Sequence, residues 1–191
     1  MSTESKAALF LMLGQTAERS VAKLEDLVPR ETLLLSPSYD LAPLLPETVR
    51  RATSAAEGYR LFFVFENFLR KFVLEVLSKD PTKSWWERLP SDVQDEISKL
   101  EQTEEIKSWM ALGSRDKSTL MTFPQLLRVI DYAWKDGFSD IVRDKGLIQE
   151  ARLIGHLRNT ICHMSDIPDE ESDRIRQTMR DWFRVVAVSA P

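Results

Sequence analysis

The chain of 191 residues has one cysteine and two histidines. The lone Cys162 excludes an internal disulfide framework and a cysteine-rich metal site, and it suits a reducing compartment. An excess of basic residues is also missing. The net charge is −4 and the pI is near 5.4, so no global electrostatic reason exists to bind nucleic acid, and any RNA contact needs a local basic face. No apolar run approaches the roughly 20 residues of a membrane helix, so no membrane span is expected. The run AALFLMLG could be the core of a signal peptide, but the MSTESK before it lacks net positive charge. The expected compartment is the cytoplasm. Strand signals are weak and no repeat of 20–50 residues occurs. What is present is an ordinary globular balance, 43% apolar and 29% charged, enough for one domain with a sizeable core.

Helical periodicity fills most of this length and predicts an all-α, compact multi-helix bundle. A first helix carries Leu13, Ala17, Val21, Leu24 and Val28 at helical spacing. PRETLLLSPSYDLAPLLPE, with four prolines, reads as a connection or extended arm. Residues 1–50 thus form an N-terminal helix plus a proline-containing connection, and 51–191 form the helical domain. A long helix from about Glu47 to Leu77 buries Leu61, Phe62, Phe65, Phe68, Leu69, Phe72 and Val76. Phe63 and Val64 lie off that stripe, so the helix is expected to meet neighbours on more than one side. Capping boxes at SWWE (84–87), SDVQ (91–94) and TFPQ (122–125) predict three starts: a short helix near Trp86, then helices over about 91–111 and 122–136. ALGSRDKST is a polar loop. Another helix runs from about Leu147 to Met164, and a last one follows DIPDEES, where Pro168 suits the first turn and the acids complement the helix dipole.

The chemistry concentrates in LRNTICHM, residues 157–164. On an ideal helix Leu153, Leu157, Ile161 and Met164 form the buried stripe, and His156, Asn159, Thr160 and His163 cluster along one edge. Arg158 lies roughly 140° around from His163. One straight helix in one subunit therefore does not bring guanidinium and imidazole together. Either the helix is irregular there, or a two-fold dimer supplies the two groups from two chains. The residue types suit RNA cleavage. RNA carries its own nucleophile, the 2′-hydroxyl. A histidine then serves as general acid or base, and an arginine forks onto the phosphate as charge builds. Asn159 can bond the phosphate or the imidazole. The expected product is a 2′,3′-cyclic phosphate, with no metal or other cofactor. His156 and His163 share an edge, yet no carboxylate or thiolate stands at ligand spacing with both.

LIQEARLIGHLRNTICHM resembles the signature helix of HEPN (higher eukaryotes and prokaryotes nucleotide-binding) domains: Arg, a polar residue that is often Asn, a few more positions, then His. ENFLRKFVLEVL (66–77), SWWERLP and TFPQLLRVI resemble one HEPN subgroup known from an RNA-surveillance endonuclease and from bacterial proteins. The resemblance covers roughly 57–188. It implies a helical bundle that dimerises through the motif helices. It also implies frequent metal-independent ribonuclease activity in toxins or antiviral defence, with Arg158 on phosphate, Asn159 assisting and His163 in acid–base work. The expected partners are RNA, with transfer RNA as a candidate, a second copy of the chain, and an antitoxin or sensor protein. Toxins silenced by a nucleotidyltransferase often carry a tyrosine two residues after the histidine, where this chain has Ser165. Some HEPN domains have lost catalysis, which leaves a non-catalytic module that binds a nucleotide or regulatory protein as the alternative. A plain helical scaffold is the third reading.

Other features have blander readings. Arg176, Arg180 and Arg184, with Arg174 and Arg152, read equally as an RNA-backbone track or as a solvated face paired with acids. Trp109, Trp134 and Trp182 belong to the core by periodicity, and Trp85 and Trp86 close a helix junction. Cys162 is a small packing residue, and Glu66 and Arg70 stand one turn apart at ion-pair spacing.

Overall fold

A computed structural model describes residues 3–27, 32–106 and 116–188. The chain divides into two compact units, 1–53 and 54–191. Among the described residues it forms seven α-helices and one two-stranded ribbon, an all-α architecture as expected.

The first unit holds α1 (Thr3–Leu27), the strands β1 (Leu34–Ser36) and β2 (Tyr39–Asp40), and the opening turns of α2 (Pro46–Leu77). The expected arm is thus partly a short antiparallel ribbon, turned at Pro37–Ser38, with Leu34 opposite Asp40. Asp40 Oδ1 accepts from the backbone N–H groups of Leu33 and Ala42, both at 3.0 Å, which gives this proline-punctuated stretch local closure. Leu13, the first of the apolar positions at helical spacing in the first helix, is 61% exposed. Val28, the last of them, lies outside the described residues.

The second unit wraps helices around the rest of α2. These are α3 (Ser91–Ile106), α4 (Phe123–Tyr132), α5 (Phe138–Val142), α6 (Gly146–Cys162) and α7 (Asp169–Val188). The predicted stripe of α2 enters the core: Phe62, Phe65, Leu69, Phe72 and Val76 are buried, and Leu61 and Phe68 pack half-buried against them. Aromatic edges meet faces throughout. Phe62 meets Phe123 at 5.6 Å, Phe72 meets Phe138 at 5.4 Å and Phe68 meets Phe183 at 4.4 Å, T-shaped in each case, where such pairs add to plain area burial. Fully buried Trp182 satisfies its indole N–H on the Leu147 carbonyl at 3.3 Å. Trp134 is half-buried against the core with the Lys145 ammonium 5.3 Å from its ring, whereas Trp109 lies outside the described residues. Trp85 and Trp86 pack edge to face at the junction before α3, as expected.

The three capping boxes behave differently. At TFPQ the Thr122 N–H donates to Gln125 Oε1 at 2.8 Å and the box opens α4. At SWWE the Ser84 N–H donates to Glu87 Oε2 at 2.9 Å, but only a single 3₁₀ turn, 86–88, follows. At SDVQ the box does not form. Gln94 Nε2 donates instead to the carbonyls of Trp86 and Leu89 at the preceding turn. The helix expected over 122–136 ends at Tyr132. A 3₁₀ turn at 134–136 and Gly137, at φ +120°, then redirect the chain into α5.

Phe63 and Val64, expected to touch a second neighbour, are 58% and 52% exposed. The expected stripe of α6 is also rotated. Ile148, Ala151, Ile154 and Ile161 are buried, whereas Leu153 is 63% and Met164 88% exposed. The helix packs against both α4 and α7, and these two contacts together select a different face from the one a single apolar stripe suggests.

Candidate functional site

Residues 157–164 fall on the last two turns of α6 and just beyond its end. The helix stays regular to Cys162, so no kink swings Arg158 toward His163. It ends in a Schellman arrangement: the Ser165 N–H donates to the Thr160 carbonyl at 3.2 Å and the Met164 N–H to the Ile161 carbonyl at 2.9 Å. Met164 takes the left-handed position, φ +59°, where glycine is the usual choice. His163 is therefore the cap residue, fully at the surface, with its backbone N–H on the Asn159 and Thr160 carbonyls. Its imidazole has no hydrogen-bond partner among the described residues.

Arg158 lies in different surroundings. It lines a cleft of about 320 Å³ between α2 and α6 with Tyr59, Phe63, Glu66, Asn67, Arg70 and Cys162. The Ile161 side chain packs directly on Gly58, where a Cβ would lie 2.8 Å from its Cδ1, so any larger residue would make Ile161 shift. Along the cleft floor runs a fixed ionic ledge. The Arg70 guanidinium, with 12% side-chain exposure, donates to Glu66 Oε1 (2.9 Å), Asn67 Oδ1 (2.7 Å) and the carbonyls of Ser118 and Met121 (2.9 Å each). Its donors are spent on the fold. The second Glu66 oxygen faces Arg158 at 3.8 Å, too long for a hydrogen bond but close enough for attraction between charges. Two arginines thus share one carboxylate. The three side chains sum to one positive charge, and the loosely held Arg158, 30% exposed, carries it to the cleft.

Asn159 faces another way. It lines a second cleft with His156, Arg152, Arg128 and Phe123. The arginines there are already neutralised. Arg128 binds Asp92 at 2.7 Å and Glu96 at 2.6 Å, and Arg152 binds Asp131 at 2.8 Å. Hydrogen bonds from Gln125 and Arg128 hold the Glu96 carboxyl below its ordinary 4.5, and those from Lys145 and Arg152 hold Asp131 below 3.8. Within one chain, then, the structure separates Arg158 from Asn159 and leaves His163 apart from both clefts.

On α7 the arginines are mostly engaged. Arg176 pairs with Asp173 at 2.9 Å, Arg174 with Glu171 at 3.4 Å and Arg184 with Asp181 at 3.7 Å, while Arg180 bonds Gln177. This arrangement fits the solvated paired face better than a phosphate track. Cys162 is exposed, not a packing residue. Among the described residues no group of three from His, Cys, Asp and Glu is placed to hold a metal ion, and no helix is long and apolar enough to cross a membrane. Sequence reasoning missed Tyr59, Phe63 and Asn67 as cleft residues. Their signal was available, since 59, 63, 66, 67 and 70 recur on one helical face.

Comparison with known proteins bears on the family directly. The Swt1-like HEPN family matches residues 60–187, two thirds of the chain, which takes in the ledge on α2, the core and all of α6. No curated protein and no solved structure matches. The helical bundle and the extent of this match make the chain a member of the Swt1-like HEPN family.

Proposed function

We propose that the protein is a metal-independent endoribonuclease of the HEPN type. It acts as a homodimer in the cytoplasm, in toxin, antiviral-defence or stress roles, and cleaves RNA through attack by the 2′-hydroxyl. The observation that carries this reading is the weakly held charge of Arg158 in an open cleft, 3.8 Å from a Glu66 that Arg70 already binds, on a helix whose terminal His163 lines no part of that cleft. A two-fold partner supplies the missing half: the imidazole of one subunit moves protons at the 2′-hydroxyl or the leaving 5′-oxygen, and the guanidinium of the other stabilises the phosphorane charge. HEPN proteins include ribonucleases, which supports the class of reaction. Asn159 assists at the phosphate or the imidazole in the assembled cleft.

The test is cleavage of a mixed RNA pool, transfer RNA included, in EDTA. Wild type is expected to leave 2′,3′-cyclic phosphate ends and folded His163→Ala to leave the pool intact. A second reading, a non-catalytic module that binds a nucleotide or regulatory protein, is favoured by the cleft's nucleotide-scale volume. It expects no cleavage by wild type but nucleotide binding that Arg158→Ala weakens.

A further inference from the structure

The α2 wall of the Arg158 cleft is aromatic and uncovered. Tyr59 and Phe63 stand one turn apart, 59% and 58% exposed, with ring centroids 6.1 Å apart and planes tilted by 34°. In the same bundle Phe62, Phe65, Phe72, Phe123 and Phe138 are buried, and Tyr132, also exposed, has no ring beside it among the described residues. The pair adjoins the one arginine of the cleft whose charge the ledge leaves unmatched, among the described residues.

We propose that Tyr59 and Phe63 form a stacking platform for an unpaired RNA base whose adjoining phosphate reaches Arg158. The site then selects single-stranded or looped RNA over duplex. This inference rests on the ribonuclease reading and deepens it. Three observations carry it. The cleft's surplus positive charge calls for an anionic occupant, which a phosphate supplies and an apolar face of a second copy does not. Its volume of about 320 Å³ lies at the lower end of small-ligand sites, the scale of one nucleotide. Its exposed π-faces suit splayed-out bases, which unpaired RNA offers and an A-form helix conceals in its stack. Because the phosphate must reach Arg158, the cleft has to stay open to RNA, so its aromatic wall faces substrate.

The test uses the full chain and two oligonucleotides of equal length, both 2′-O-methylated to block cleavage, one with bases and one abasic. Fluorescence anisotropy gives the affinities and sedimentation the oligomeric state. Wild type is expected to prefer the base-bearing strand by about 5- to 100-fold. Tyr59→Ala and Phe63→Ala should erase most of that preference, keep abasic binding and leave the oligomeric state unchanged, while Tyr59→Phe and Phe63→Tyr retain it. Persistence of the preference in both alanine variants overturns the platform, as does a shift in sedimentation, which would make this face an interface between copies. If wild type cleaves RNA yet the alanine variants behave like it, only the platform falls. If wild type binds neither strand and cleaves nothing, the ribonuclease reading falls with it.

Discussion

Two sides of α6 carry chemistry-bearing residues, and the fold treats them differently. On the α2 side Arg158 faces a ledge whose parts are fixed: Arg70 is spent on four acceptors, and Glu66 is divided between Arg70 and Arg158. On the other side Asn159 opens toward arginines that acids have already neutralised, and His163 stands at the helix end with no side-chain partner among the described residues. In the proposed reading the bundle builds one half of a phosphate site and a second copy supplies the other half. A helix can carry a complete motif in sequence while one subunit presents it in pieces.

Substitutions that separate chemistry from architecture break this comparison most sharply. His163→Ala should lower RNA cleavage by about 10²–10⁴-fold, the usual worth of a general acid or base. Being exposed, it should change the urea midpoint by no more than about 0.5 kcal/mol equivalent. Arg70→Ala should act chiefly on the fold. It removes the donor to two carbonyls and leaves Glu66 only the distant Arg158, so unfolding free energy should fall by about 2–4 kcal/mol, read from the same titrations. Met164→Gly sharpens the account of the helix end. Relieving the left-handed cap should raise stability by about 0.5–1 kcal/mol, offset in part by the freer unfolded chain.

The acids on the Asn159 side give the smallest effect, and its sign is fixed. Glu96 and Asp131 are held below their ordinary values in the folded chain, so their contribution is complete above the unfolded values of 4.5 and 3.8. It is lost as pH falls through the lower folded values. Thermal midpoints of wild type and Arg128→Met should draw together as pH falls below 4.5, the Glu96 carboxylate losing its charge as pH passes through its lowered folded value.

The extents of α2 and α6 were legible to within two residues, because long periodic segments with clear ends determine helices locally. The bundle and its family were legible from LRNTICHM and from the aromatic stripe of α2. The buried face of α6 was not. A wheel extended to Met164 assumes a helix that has already ended, and Leu153 lies on the solvent side once α4 and α7 take the opposite faces. Gln94 read as a cap and became a tie to an earlier turn, since the Trp86 and Leu89 carbonyls lay within its reach. The cleft itself was only half visible. Glu66 and Arg70 announced an ion pair, but that Arg158 stands across from it depended on how α6 lies against α2, which local spacing does not encode.

The central claim, that guanidinium and imidazole come from different chains, is tested most directly by mixing. Arg158→Ala and His163→Ala, each inactive alone, are unfolded together, refolded as a one-to-one mixture and assayed for RNA cleavage in EDTA. With random pairing, half the dimers are mixed, and each of those has one site carrying both native groups. The mixture should therefore regain about one quarter of wild-type activity. A mixture as inactive as its parents, while differently tagged copies co-purify as mixed dimers, would place both groups in one chain and contradict the account.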